Sequence, residues 1–229
     1  MYTLYIANKN YSSWSLRPWI LMQVLGISFH ERLEPFDGPE HRAGFKSFSP
    51  TGKVPCLIDG ERQIWDSLSI TEYLAERHPM VWPTNDDARA WARSAAAEMH
   101  SSFQALRSLC PMNVGVRINA DFASQVLQKD IARINEIWSQ GLQKFGGPFL
   151  AGGAFSAVDA FYSAVVFRWQ TYEFALSQSA EAYARTVLAL PAMQAWQRSA
   201  LSEKWREESH EADTRAAGRI TSDLRAQSI

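Results

Sequence analysis

Residues that could bind a ligand cluster between Val54 and Ser67 of this chain. Val54-Pro55 opens a short apolar strand, Asp59-Gly60 turns the chain, and the returning strand leads into Asp66-Ser67. Asp-Gly between two apolar runs is a strong hairpin signal, and the periodic stretch 68–77 predicts a helix that begins beside this acid and hydroxyl. Because the N-terminus of a helix presents unpaired N–H groups and a positive dipole end, it favours a carboxylate. These residues therefore predict a cradle for a small, extended, peptide-like anion.

The composition is that of a globular protein: 229 residues, 46% hydrophobic and 21% charged. The formal net charge of −1 gives no overall attraction to nucleic acid or to a membrane surface, so neither partner is expected. The two cysteines, Cys56 and Cys110, are too few for a disulfide scaffold, and no His or Cys pair has metal-ligand spacing. No apolar run reaches the roughly 18 residues of a membrane span. We expect a cytoplasmic protein without a metal site.

The first 80 residues alternate predicted strands and helices. Strands at 2–7 and 29–36 are joined by an apolar helix at 16–25, with Ser15 as its N-cap and Gly26 at its end. A short helix at 41–48, the hairpin and the helix at 68–77 follow. Because a helix crosses between the first two strands, these should pair in parallel within a mixed four-stranded sheet. The first domain, 1–80, is thus predicted to be α+β.

The second part of the chain is predicted to be helical. A proline-containing linker at 81–87 leads to an all-helical domain at 88–209, with helices at 88–109, 121–145 and 157–174 and one or two more at 183–205, broken near Pro191. Ser156 and Asp159 form a capping box that starts the helix at 157, which is a structural role. The polar tail, 210–229, is expected to lack regular structure.

Three motifs occur together in this order. The first is Val54-Pro55 with Asp66-Ser67, the second is SSWSLR at 12–17, and the third is FLAG at 149–152 followed by FSAVD at 155–159. Together they resemble the cytosolic glutathione transferase family over roughly residues 2–207, and SSWSLR is similar to the serine loop of its zeta class. The resemblance implies a thioredoxin-like domain followed by an all-α domain, glutathione as co-substrate, a small electrophile as second substrate, and a homodimer.

The resemblance implies that a serine activates the glutathione thiol. A free thiol has a pKa near 8.5, and lowering it by two units takes about 2.7 kcal/mol, which a hydroxyl hydrogen bond and a helix N-terminus could supply. The zeta-like motif favours Ser12 as the donor, whereas counting four residues back from Arg17, as in theta-like sequences, favours Ser13. Tyr11 is a rival donor.

The resemblance also implies a set of glutathione-binding residues: Ser15, His41, Lys53, Val54, Pro55, Asp66 and Ser67. Val54, ahead of a cis proline, would pair its backbone with the cysteinyl part of glutathione like an added strand. Asp66 and Ser67 would bind the γ-glutamyl end, and Lys53 and His41 the glycyl carboxylate.

The electrophile pocket is expected to be lined by Trp14, Phe103, Arg107, Met112 and Arg168. Its two arginines suit an anionic substrate such as that of the zeta-class maleylacetoacetate isomerases. Trp14, however, stands where the zeta-like motif has cysteine, and Arg168 is out of register with the arginine of that class.

Other functions remain open at this point. They are glutathione-dependent peroxide reduction, the isomerisation, and a glutathione- or ligand-binding module without turnover. Thiol–disulfide exchange would require a cysteine at the start of the first helix, where residues 12–15 offer none.

Overall fold

The computed structural model describes residues 1–36 and 44–225. A four-stranded sheet of order β2-β1-β3-β4 is built from β1 (Tyr2–Ile6), β2 (Phe29–Leu33), β3 (Cys56–Asp59) and β4 (Arg62–Ile64). β1 pairs with β2 in parallel and with β3 in antiparallel fashion, and β3 and β4 form the predicted Asp-Gly hairpin. Helix α1 (Ser13–Val24) crosses between β1 and β2, and α2 (Ser67–Ala75) follows β4. The predicted mixed sheet is confirmed.

The second half is mostly helical. Its helices are α3 (Asp86–Ser101), α4 (Gln104–Leu109), α5 (Gln125–Phe145), α6 (Ala157–Tyr172), α7 (Gln178–Leu188), α8 (Pro191–Ser202) and α9 (Glu208–Ala216). The predicted break near Pro191 is confirmed, since this residue begins α8. The single helix predicted at 88–109 is instead two, because Phe103 adopts a left-handed backbone conformation with φ 63° between α3 and α4. The division into domains at 81–87 stays a prediction.

The expectation that residues 210–229 lack regular structure is wrong for the described part of the tail. Residues 208–216 form α9, and β6 (Gly218–Asp223) pairs antiparallel with β5 (Val116–Ala120). The tail is polar in sequence, but its charges are paired in the fold: the Arg225 guanidinium bonds to both Glu211 and Asp223. Gly218 has φ +153°, and a Cβ there would lie 2.5 Å from the Asn119 carbonyl oxygen. This two-stranded ribbon is an exception in the otherwise helical second half.

The core joins both halves through α1 and α6. Leu16, Ile20 and Leu21 of α1 are fully buried, and nearly every residue of α6 is buried around them. Because a helix that is apolar on all sides has no solvent face, α1 and α6 must lie inside the molecule. No helix of residues 1–36 and 44–225 is long and apolar enough to cross a membrane.

The start of α6 depends on the predicted capping box. The Asp159 carboxylate accepts hydrogen bonds from the backbone N–H groups of Ser156 and Leu150, each at 2.9 Å, and it is fully buried. Burial raises the pKa of Asp159 to about 6. The same carboxylate therefore starts the central helix and ties it to the preceding loop.

We predict that Asp159→Ala lowers the free energy of unfolding by about 2–4 kcal/mol, because two buried N–H groups lose their acceptor. Asp159→Asn, which keeps one acceptor oxygen, should lose roughly half as much. Urea denaturation followed by circular dichroism measures both. Equal losses for the two variants would contradict this account of the helix start.

Candidate active site

A cleft of about 500 Å³ lies where the loop before α1, the segment before β3, the end of α4 and the helix α9 meet. Its walls are formed by Tyr11, Ser12, Ser13, Trp14, Phe36, Phe45, Thr51, Gly52, Lys53, Val54, Arg107, Pro111, Met112, Arg168, His210 and Asp213. The serine loop, the segment before Pro55 and the predicted electrophile pocket are thus brought together in one site. We refer to it below as the cleft.

The two candidate serines both face the cleft at the N-terminus of α1. Ser12 is the N-cap, and its hydroxyl donates to the Ser15 Oγ at 2.7 Å. Ser13 is the first helical residue, and its hydroxyl has no hydrogen-bond partner among the described residues. The assignment of Ser15 as N-cap is wrong, because α1 begins at Ser13 with Ser12 as its N-cap, while the glutathione contact of Ser15 stays a prediction. Ser15 is fully buried and accepts the Ala7 N–H at 3.2 Å.

The C-terminal half holds the loop that carries these serines. The Glu203 carboxylate accepts the backbone N–H groups of Lys9 (2.6 Å) and Asn10 (3.2 Å). The Asn10 side chain donates to Asn113 Oδ1 at 2.8 Å and accepts the Gly115 N–H at 2.9 Å. Burial raises the pKa of Glu203 to about 7. The position of the serines is thus determined by residues about 100 and 190 positions further along the chain.

The hydroxyl of Tyr11, the rival donor, already donates its hydrogen bond to a carboxylate of the protein. Its hydroxyl donates to Glu211 Oε1 at 2.6 Å, and Glu211 is in turn paired with Arg225. Burial and the neighbouring Glu211 carboxylate raise the pKa of the Tyr11 hydroxyl above its usual range. The Tyr11 ring forms part of the wall of the cleft, while its hydroxyl binds Glu211 of α9 and so holds the C-terminal tail.

The segment before β3 has the predicted backbone geometry. The Val54-Pro55 peptide bond is cis, as the resemblance implied. Lys53 and Val54 line the cleft, whereas Pro55 is buried behind them. No hydrogen bond joins the Val54 backbone to another described residue. His41, the other predicted contact of the glycyl carboxylate, lies outside the described residues.

Asp66 and Ser67 start α2 as predicted, but neither lines the cleft. Asp66 is the N-cap: its carboxylate accepts the Leu68 N–H at 2.8 Å and lies 3.3 Å from His100 Nε2. Ser67 is fully buried, and its Oγ accepts a hydrogen bond from Arg17 at 3.3 Å. The Ser67 hydroxyl is therefore already used within the protein, whereas the Asp66 carboxylate is exposed.

Four of the five residues predicted for the electrophile pocket line the cleft: Trp14, Arg107, Met112 and Arg168. The prediction is wrong for Phe103. Phe103 is buried in the hydrophobic core at the turn between α3 and α4, and it does not line the cleft.

The two arginines of the cleft are held by main-chain carbonyl groups. Arg168 donates to Cys110 O at 2.8 Å and to Ala164 O at 3.3 Å, and Arg107 donates to Ser102 O at 3.0 Å and to Met99 O. Neither forms a salt bridge with a carboxylate of the described residues. Burial and the nearby Arg107 lower the pKa of Arg168 to about 10. The pair brings two positive charges to the wall of the cleft.

Sequence reasoning missed the contribution of the tail and of two phenylalanines. His210 and Asp213 of α9, together with Phe36 and Phe45, complete the walls. No sequence signal could have found His210, because residues 207–216 have no apolar periodicity and no motif spacing. Both cysteines are buried away from the cleft, and burial raises the pKa of each thiol to about 11. Residues 1–36 and 44–225 contain no cluster of three side chains that could hold a metal ion.

Comparisons with known proteins agree with this architecture. The family model "Glutathione S-transferase, N-terminal domain" matches residues 11–77. A zeta-class glutathione S-transferase of Euphorbia esula is 29% identical over 154 residues, which span 66% of this chain and 68% of that protein. Glutathione S-transferase T1 of Arabidopsis thaliana is 30% identical over 140 residues, which span 55% of this chain and only 57% of that protein.

The fold is also that of solved structures. A glutathione transferase homolog from Burkholderia, solved with bound glutathione, superposes with a TM-score of 0.65 at 19% identity, covering 87% of this chain and 97% of that one. The fold and cleft define a thioredoxin-like sheet joined to a helical unit, with one site shared by both. The family model over residues 11–77 and these relatives support a member of the cytosolic glutathione S-transferase family.

The buried Glu203 makes the anchoring of the serine loop depend on pH. Its pKa is about 7 in the folded protein against an ordinary 4.5, so between these values the folded state binds the proton that the unfolded state has released. The free energy of unfolding therefore falls as pH rises through this window, by on the order of 3 kcal/mol. We predict that Glu203→Gln removes this fall.

Urea denaturation of the wild type and of Glu203→Gln between about pH 5 and 8 measures the effect. Glu61→Gln, at an exposed carboxylate in the β3–β4 turn, is the matched control and should differ from wild type by a constant amount. A constant difference for Glu203→Gln as well would show that Glu203 is not titrating in this range.

Proposed function

We propose that this protein is a glutathione transferase that binds glutathione in the cleft and activates its thiol with a serine at the N-terminus of α1. The observation that carries the proposal is that Ser12 and Ser13, at this helix N-terminus, share one cleft with Val54, whose backbone, before a cis proline, makes no hydrogen bond to a described residue. An unpaired backbone segment can bind an extended peptide by strand addition. A hydroxyl and a helix N-terminus both stabilise a thiolate.

Ser13 is the better candidate for the hydroxyl that faces the sulfur. The Ser12 hydroxyl proton is engaged by Ser15, whereas Ser13 lines the cleft and its hydroxyl has no hydrogen-bond partner among the described residues. A charge-assisted hydrogen bond from Ser13 would supply about 1.5–3 kcal/mol of preference for the thiolate. That range covers the stabilisation needed to lower a thiol pKa by one to two units.

The two ends of glutathione would lie in opposite directions from Val54. Lys53, which is exposed in the cleft and has no salt bridge to a described residue, would hold the glycyl carboxylate. The γ-glutamyl carboxylate would bind the N–H groups that open α2, and the ammonium of the same residue would bind the exposed Asp66 carboxylate.

The resemblance to the family adds the proposal that the protein is a cytosolic homodimer. Analytical ultracentrifugation would test the dimer.

The second substrate is proposed to be a small anionic electrophile. Arg107 and Arg168 bring two positive charges to the cleft, and neither forms a salt bridge with a carboxylate of the described residues. This observation also favours the second candidate function, which is glutathione-dependent cis–trans isomerisation of an unsaturated carboxylate. The alternative is a ligand-binding module without turnover. Measured glutathione-dependent turnover would exclude it.

We predict that Ser13→Ala lowers kcat/KM for a reactive electrophile by about 10- to 100-fold, because the thiolate loses its hydrogen-bond donor. The affinity for glutathione, measured by calorimetry, should change by less than about threefold, since the other contacts remain. Ser12→Ala should have a smaller effect, and Ser94→Ala, at an exposed serine of α3, should have none.

Two results would contradict this assignment. Glutathione binding with unchanged turnover in both Ser12→Ala and Ser13→Ala would exclude the serine mechanism. If calorimetry detects no glutathione binding to the wild type, the proposed function itself is wrong.

We predict that Arg107→Gln raises KM for an anionic electrophile by about tenfold relative to a neutral one of similar shape, because one positive charge is lost. Arg107→Lys keeps the charge and should preserve the discrimination, although it loses the forked contact with Met99 and Ser102. Steady-state kinetics with the paired electrophiles measures the ratio. Equal losses for both electrophiles would indicate that Arg107 only supports the α3–α4 corner.

A further inference from the structure

His210 reaches the cleft from α9, and the thiol mechanism above does not use it. Its imidazole stacks on two aromatic rings, with ring centroids 5.0 Å from that of Tyr11 and 5.5 Å from that of Phe36. The interplanar angles are 26° and 15°, so the plane of the imidazole is determined by both neighbours. The side chain keeps 29% of its surface exposed, on the side of the cleft.

Glu207 determines which ring nitrogen of His210 carries the proton. The Glu207 Oε2 atom lies 2.7 Å from His210 Nδ1, and the same oxygen accepts the His210 backbone N–H at 2.9 Å. Because a carboxylate only accepts hydrogen bonds, Nδ1 is the donor, and the neutral ring then has its lone pair on Nε2. Nε2 makes no hydrogen bond to a described residue. The arrangement is a base oriented by a carboxylate, with no described residue bonded to its basic atom.

We propose that His210 is the base that accepts the thiol proton of glutathione, and that Glu207 is its positioning residue; this inference rests on the proposed function. The S–H bond breaks, its electron pair stays on sulfur, and the proton bonds to Nε2, either directly or through one bridging water. Ser13 and the N-terminus of α1 then stabilise the thiolate, while Glu207 stabilises the imidazolium.

The second half of the reaction returns the proton. When the thiolate adds to an activated double bond, sulfur forms a bond to one carbon of that bond. The displaced π electron pair then takes the proton back from Nε2. In a displacement, the thiolate sulfur forms a bond to the carbon, the leaving group departs with the electron pair of the bond that breaks, and His210 releases its proton to solvent. In both cases His210 ends neutral and ready for the next glutathione.

Several charged or titratable groups share the surroundings of His210. Glu207 faces it from the start of its own helix and Tyr11 from the loop before α1, while Lys53, Arg107, Arg168 and Asp213 line the same cleft. The raised pKa of Tyr11 keeps that hydroxyl protonated. Lysine, arginine and aspartate ordinarily titrate outside the range of about pH 5.5–8. Glu203, with a pKa of about 7, is present in the wild type and in a His210 variant alike, so a pH effect that disappears with His210 is assigned to His210.

The first test compares His210→Gln with the wild type and with His30→Gln, which makes the same change at an exposed histidine of β2. His210→Gln should lower kcat by about 100-fold near pH 6.5, with the glutathione dissociation constant and the unfolding midpoint close to those of the wild type. The deficit should narrow as pH rises, because solvent increasingly removes the thiol proton. Glu207→Gln retains an acceptor for the helix cap and should show a smaller deficit of the same form.

The second test is chemical rescue, which a purely structural role would not permit. Adding imidazole to His210→Ala should restore turnover in a saturable manner and leave His30→Gln unaffected. A kcat for His210→Gln within about twofold of wild type, or a deficit that does not vary with pH and resists imidazole, would overturn the role of His210. If the wild type shows no glutathione-dependent turnover, both the role of His210 and the proposed function are wrong. If the wild type turns over and the His210 variants are unaffected, only the role of His210 as the base is wrong.

Discussion

The site depends on a set of buried hydrogen bonds between the loop at 8–12 and the C-terminal half of the chain. Glu203 binds the backbone at Lys9 and Asn10, Trp196 donates to the Lys9 carbonyl oxygen at 2.8 Å, and Glu211 binds the Tyr11 hydroxyl. Each buried polar group that lost its partner would cost about 1–3 kcal/mol. The loop therefore has one conformation that satisfies all of them, and this conformation places Ser12 and Ser13 at the cleft.

Positive charge is the second constraint on this site. The Trp14 ring centroid lies 4.1 Å from the Arg17 guanidinium carbon and 4.8 Å from that of Arg107, and Arg168 is close enough to Arg17 to repel it. Burial and mutual repulsion lower the pKa of Arg17 well below its usual range. A tripeptide with two carboxylates and a thiolate supplies negative charge in such a place. The cluster thus suits both the proposed co-substrate and an anionic electrophile.

Much of this fold could be predicted because local signals agree with it. The Asp59-Gly60 turn, the start of α2 after Asp66, and the capping box at Asp159 all follow from short-range chemistry. Ser15 was misassigned because several serines stand in a row, and only the buried contact with Ala7 shows which way it points. The break at Phe103 has no strong local signal either, since neither glycine nor proline occurs in residues 98–103.

The C-terminal tail, residues 208–225, shows why the other parts of the fold could not be predicted from the sequence. The order of α9 and β6 comes from partners distant in sequence, such as Arg225 with Glu211 and Asn113 with Thr214. A polar segment without periodicity looks the same whether or not such partners exist. The sequence therefore does not reveal which residues of the tail reach the cleft, and His210 of α9 is one of them.

The most direct test of the central claim is the pKa of the glutathione thiol in the complex with the wild-type protein. Ultraviolet difference absorbance of the thiolate, followed during a pH titration of the saturated complex, measures it. A serine hydroxyl and a helix N-terminus acting together predict a pKa of about 6.5–7, against about 8.5 for the free thiol. A bound thiol that titrates at the free value would contradict the claim that the cleft stabilises the thiolate.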